Sequence, residues 1–79
     1  MRTLYVGGLN ADTTAERLRD LFERFGGISE ARVVLRPKTG QCRGFGYVTF
    51  AIDRDALSAM QELDGSVVKG NRLRVDLAR

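Results

Sequence analysis

Along this chain the hydrophobic repeat alternates between the two-residue period of a strand and the roughly 3.6-residue period of a helix, in the order strand, helix, strand, strand, helix, strand. Residues 3–7, TLYVG, alternate, with Leu4 and Val6 on one face and Thr3, Tyr5 and Gly7 on the other. Thr13 with Glu16 three residues later forms a capping-box pattern. The helix it opens, 12–25, carries Leu18, Leu21, Phe22 and Phe25 on one stripe and stops at Gly26-Gly27. Residues 28–35 read as a second strand. The RPKTG turn follows, and 43–50, RGFGYVTF, returns as a third strand in a hairpin with the second. A second helix, 53–64, starts at Asp53 as cap, puts Ala56, Leu57, Met60 and Leu63 on one stripe, and ends at Asp64-Gly65. VVKGN reads as a small hairpin and 71–77 as the last strand. Each helix has a single apolar stripe, so both cover one face of a four-stranded sheet and leave the other open, an α+β architecture.

Parity decides which face is which. One face collects Leu4, Val6, Ala31, Val33, Leu35, Val48, Phe50, Leu73 and Val75. The other collects Thr3, Tyr5, Arg32, Val34, Arg43, Phe45, Tyr47, Thr49, Arg74 and Asp76. A core does not accept three unpaired arginines, so the second face is the open one. Gly44 and Gly46 then point toward the helices, where lack of a side chain permits close approach. Three of the chain's six aromatic residues, Tyr5, Phe45 and Tyr47, lie on the open face. In so short a chain a contiguous exposed aromatic patch marks an interface.

Charge supports the same division. The two helical segments hold eight acids and four bases, net −4, and the rest of the chain holds two acids and nine bases, net +7. The sheet side is thus basic, as a polyanion partner requires. Rings flanked by Arg43, Arg32 and Arg74 suit a single nucleic-acid strand, whose bases stack on the rings while guanidinium groups meet phosphates.

RGFGYVTF resembles the octamer motif of the RNA recognition motif (RRM) domain, with Tyr47 where the pattern has Phe. LYVGGL, residues 4–9, resembles the family's hexamer motif. The likeness extends through GNRLRVDLA and so over the whole of 1–79, read as one RRM-type RNA-binding domain. The resemblance implies a ferredoxin-like antiparallel sheet in strand order 4-1-3-2. It also implies that Tyr5 and Phe45 stack on successive bases, that Tyr47 inserts near the sugars between them, and that Arg43 contacts phosphate. Arg32, Arg74, Asp76 and Arg79 are further candidates for phosphate or base-edge contacts. Gly7 stands where some relatives carry Asn, so a side-chain base contact is absent there. The implied partner is single-stranded RNA, or single-stranded DNA, bound by an intracellular monomer with no membrane association.

Other readings are weaker. Taken alone, Arg43 would be a solvated strand residue, Asp76 would only soften repulsion from Arg74, and Arg36, Lys38 and Lys69 would serve solubility. Arg19 with Glu23 and Asp20 with Arg24 fit helix-surface pairs. Cys42 reads as an inert thiol, and a lone cysteine forms no intramolecular disulfide. The sequence has no histidine and no phosphate-binding G-x-x-x-x-G-K-[ST] loop, so neither catalysis nor a cofactor or metal site is expected. No apolar run is long enough to cross a membrane, and no secretory leader pattern is present. An RRM-like protein-binding module is the alternative function. Such relatives lose the rings or carry an Arg-x-Phe motif before the last strand, where this chain has KGNRLR.

Overall fold

Strand β1 (Arg2–Gly7) sends Leu4 and Val6 into the interior and is followed by helix α1 (Ala15–Phe22). A short 3-10 turn over Glu23–Phe25 leads to β2 (Ile28–Leu35) and β3 (Cys42–Phe50). Helix α2 (Asp53–Leu63) comes next, then the two-residue strands β4 (Val67–Val68) and β5 (Asn71–Arg72), and finally β6 (Arg74–Leu77). The computed structural model describes residues 1–78. The main sheet runs β2-β3-β1-β6 with every neighbouring pair antiparallel. Counting its four strands in chain order, this is the 4-1-3-2 arrangement that the resemblance implies.

Both helices pack on one face. Leu4, Val6, Val48, Phe50 and Val75 from the sheet, with Leu73 just before β6, meet Leu18 and Phe22 of α1 and Ala56, Ala59 and Leu63 of α2. Phe22 and Phe50 pack edge to face at 6.4 Å between ring centroids. Gly46 has no room for a side chain: a Cβ there would lie 2.5 Å from the Arg32 carbonyl oxygen of β2 and 3.1 Å from a Leu18 methyl of α1.

The sheet and core follow the parity reading, but several local features differ. The N-cap of α1 is Thr14, whose Oγ1 accepts the Arg17 N–H at 3.2 Å; Thr13 instead donates its own N–H to the Asn10 carbonyl in the preceding turn. The helix is shorter than 12–25 at both ends: residues 12–14 form the turn and cap before it, and its last turn tightens into the 3-10 segment. Asp53 is the first residue of α2 rather than its cap, in the turn where the helix dipole favours an acid. Its carboxylate sits 3.0 Å from the Met1 amino group, the one ion pair among the described residues, and that hydrogen bond lowers its pKa. Neither helix-surface pair forms. Arg19 donates to the Ile28 carbonyl at 3.4 Å, and the Arg24 guanidinium lies 4.4 Å from the Phe25 ring centre.

Leu57 is 37% exposed and Ala59 fills the buried position instead, so the stripe of α2 is Ala56, Ala59, Met60 and Leu63. Leu35 is 50% exposed: it lies past a register shift between Val33 and Leu35. Gly44 does not serve helix packing. It has φ 101°, and its carbonyl accepts the Leu9 N–H at 2.9 Å, so backbone geometry explains its glycine. The last strand is split at Leu73. Asn71–Arg72 pair with β4 across a turn with positive φ at Lys69 and Gly70, and only Arg74–Leu77 join the main sheet.

Candidate nucleic-acid interface

Strands β1 and β3 are the two central strands, and their register sets the open face. Tyr5 lies opposite Tyr47, and Gly7 opposite Phe45. On the outer sides, Arg32 of β2 lies opposite Tyr47, while Asp76 and Arg74 of β6 lie opposite Tyr5 and Gly7. One row across the sheet therefore reads Arg32, Tyr47, Tyr5, Asp76. The rings form a triangle with centroids 5.8 Å apart for Tyr5–Phe45, 6.0 Å for Tyr5–Tyr47 and 6.2 Å for Phe45–Tyr47. Tyr5 and Phe45 are tilted by only 33°, close to side by side, whereas Tyr47 stands nearly perpendicular to Phe45 at 87°. All three rings are half-buried, with no helix above them.

The charged groups border these rings. The Arg32 guanidinium carbon sits 4.7 Å from the centre of the Tyr47 ring, a cation–π contact that fixes the ring's outer flank. Arg74 and Asp76 are exposed and line a shallow groove with Tyr5, Tyr47, Leu77 and Ala78. One Asp76 carboxylate oxygen accepts the Leu77 N–H at 2.8 Å, which limits its rotation. Arg43 is exposed near the far end of β3, beyond Gly44. At the opposite end of the face the Thr3 and Thr49 hydroxyls bond to each other at 2.8 Å, leaving Thr49 buried and satisfied. Arg79 lies outside the described residues. Cys42 is buried, and its sulfur accepts the Gly44 N–H at 3.4 Å.

One contributor is missed by sequence reasoning. Gly7 is buried although it belongs to the open face, because the Tyr5 ring lies over it. A Cβ at position 7 would stand 2.8 Å from the Tyr5 hydroxyl and 3.1–3.2 Å from ring carbons. The signal is available in TLYVG: residues i and i+2 share a face, and a long side chain leans along its strand over a small neighbour. An absent Asn contact is thus only part of what glycine does here; it seats the ring.

An open antiparallel sheet backed by two helices, with rings on its two central strands, defines a recognised class of small domain. A family model described as the RNA recognition motif matches residues 4–74, and the chain belongs to that family. It is similar to glycine-rich RNA-binding protein 4, mitochondrial, of Arabidopsis thaliana, with 41% identity over 75 residues that cover 95% of this chain and 55% of that protein. The second RRM domain of the yeast poly(U)-binding protein superimposes with a TM-score of 0.90 at 34% identity, covering 100% of this chain and 95% of that one. The Sxl-lethal protein–RNA complex gives a TM-score of 0.93 at 35% identity, covering 99% and 47%. The chain spans about half the length of the curated relatives it matches, 55% and 48% for two glycine-rich proteins.

Proposed function

We propose that residues 1–79 act as one module that binds single-stranded RNA on the open face of the sheet. The observation that carries this reading is the triangle of rings within 6.2 Å of one another on the face that no helix covers. Two nearly side-by-side rings, Tyr5 and Phe45, suit two successive unstacked bases, and the upright Tyr47 suits the sugars between them. Arg43 and Arg32 supply positive charge for the phosphates. Arg74 and Asp76 border the stacked bases on the β6 side, and Arg79 remains a candidate for a phosphate or base-edge contact by family resemblance alone. The relatives support the reading: one carries RNA-binding in its name and another is described as a protein–RNA complex. Single-stranded DNA fits the same rings.

Binding rather than catalysis is the role, because the open face presents rings and guanidinium cations, the groove beside them holds a single carboxylate, Asp76, and the sequence offers no histidine to pair with it. An intracellular setting belongs to the same reading; the similar Arabidopsis proteins include two named as mitochondrial. Among the described residues no helix is long and apolar enough to cross a membrane.

The test is a titration of the domain with a labelled RNA single strand and with the same strand in a blunt duplex. The single strand should bind in the micromolar range, as expected on the order of magnitude for a platform that engages about two to four nucleotides and must order them. The duplex should bind far more weakly, because base pairing hides the faces that the rings need. Equal affinity for both would remove the stacking platform from the account.

A further inference from the structure

Arg74 and Asp76 stand two residues apart on β6, share the open face and line one groove with Tyr5 and Tyr47. Opposite charges so placed, about 7 Å apart along a strand, are within reach of each other. They do not pair: among the described residues the one ion pair joins the Met1 amino group to Asp53. Asp76 is held in another way: one oxygen accepts the Leu77 N–H at 2.8 Å and keeps a second lone pair, and among the described residues the other oxygen has no protein hydrogen bond. Tyr5 lies directly across from Asp76, and Gly7, over which the Tyr5 ring rests, lies across from Arg74. A base stacked on Tyr5 would therefore have a group that only donates beside one part of its edge and a group that only accepts beside the next.

The four RNA bases answer that pattern differently. Along its pairing edge guanine presents an acceptor, O6, followed by two donors, N1–H and N2–H2. Uracil presents acceptor, donor, acceptor, so its O2 would face the carboxylate. Adenine and cytosine, in either orientation, offer the carboxylate at most one amino group, beside a ring nitrogen that accepts. Only guanine gives the carboxylate two adjacent N–H groups, the arrangement that permits a charge-assisted bidentate contact.

We propose that the groove between Tyr5 and β6 selects guanine, with Arg74 donating to O6 and Asp76 accepting from N1–H and N2–H2. This rests on the single-strand RNA reading above and adds to it the identity of one base.

The experiment titrates the domain with five RNA pentamers, UUXUU, in which X is guanosine, inosine, uridine, adenosine or cytidine. Inosine keeps O6 and N1–H but lacks the N2 amino group. Guanosine should bind roughly tenfold more tightly than adenosine or cytidine, within the usual range for a bidentate base contact. Inosine should lose most of that advantage. Asp76→Ala should bring the guanosine-to-inosine ratio close to one with an unchanged melting temperature, since Asp76 is exposed. Arg74→Ala should weaken guanosine and inosine alike, because both carry O6. If all five pentamers bind equally well, or if Asp76→Ala tightens all five by the same factor, Asp76 only repels phosphate and the guanine assignment fails while RNA binding stands. Binding of none of the five would overturn both.

Discussion

Gly7 and Gly8 are neighbours whose glycines answer to different forces, and substitution separates them. At Gly7 the obstacle is the tip of the Tyr5 side chain, 2.8 Å from where a Cβ would be, and the backbone is not in the left-handed region. Gly7→Ala should therefore change folding stability by less than about 1 kcal/mol, because a ring can swing aside. The displaced ring no longer lies beside Phe45, and RNA binding should weaken by about 1–3 kcal/mol, the value of one base stack. In a Tyr5→Ala background the same substitution should cost nothing further, which a double-mutant cycle by RNA titration checks. At Gly8 the obstacle is backbone: φ is 78° and a Cβ would stand 2.2 Å from the Arg72 carbonyl oxygen. Gly8→Ala should cost folding at least about 1–3 kcal/mol, measured by denaturant melts.

Helix α2 shows how far a periodic pattern reaches. Ala59 is fully buried whereas Leu57 is 37% exposed. Leu57→Ala should cost less than about 1 kcal/mol. Ala59→Leu should cost about 1–3 kcal/mol by forcing extra volume between helix and sheet, and urea melts of the two variants decide between these stripes. Sequence periodicity finds this helix but prefers the larger residue at the wrong position, because an alanine carries too little apolar weight to reveal burial. The strands are more legible. Strict alternation in TLYVG and RGFGYVTF separates Leu4, Val6, Val48 and Phe50 from Tyr5, Phe45 and Tyr47, and three arginines settle which set is interior. What alternation cannot express is any break in it, so the register shift that exposes Leu35 and the positive φ at Gly44 escape. Nor does parity order the strands: every permutation of four alternating strands gives the same two faces, so only the family resemblance implies the 4-1-3-2 arrangement. At the site, the ring triangle follows from parity and strand neighbourhood, while the seating of Tyr5 on Gly7 depends on a side-chain torsion that no residue count supplies.

On the scale of the whole molecule, two chemically distinct faces share one thin sheet. The helical side carries a net −4 and closes the core, while the remaining segments carry +7 and leave the rings uncovered. Folding and RNA binding should therefore depend on opposite faces of the same strand, and β3 holds a phenylalanine on each. Phe50 is fully buried against Phe22, whereas Phe45 is half-buried beside Tyr5. Thermal melts and RNA titrations of Phe45→Ala and Phe50→Ala, run side by side, test the account most directly. Phe50→Ala should cost folding about 3–5 kcal/mol, a large share of the stability of so small a domain, with RNA binding lost only in proportion to the unfolded fraction. Phe45→Ala should shift stability by less than about 1 kcal/mol yet weaken RNA binding by about 1–3 kcal/mol. A Phe45→Ala variant that melts earlier than Phe50→Ala, or one that binds RNA as tightly as the unmodified chain, would contradict the assignment of the two faces.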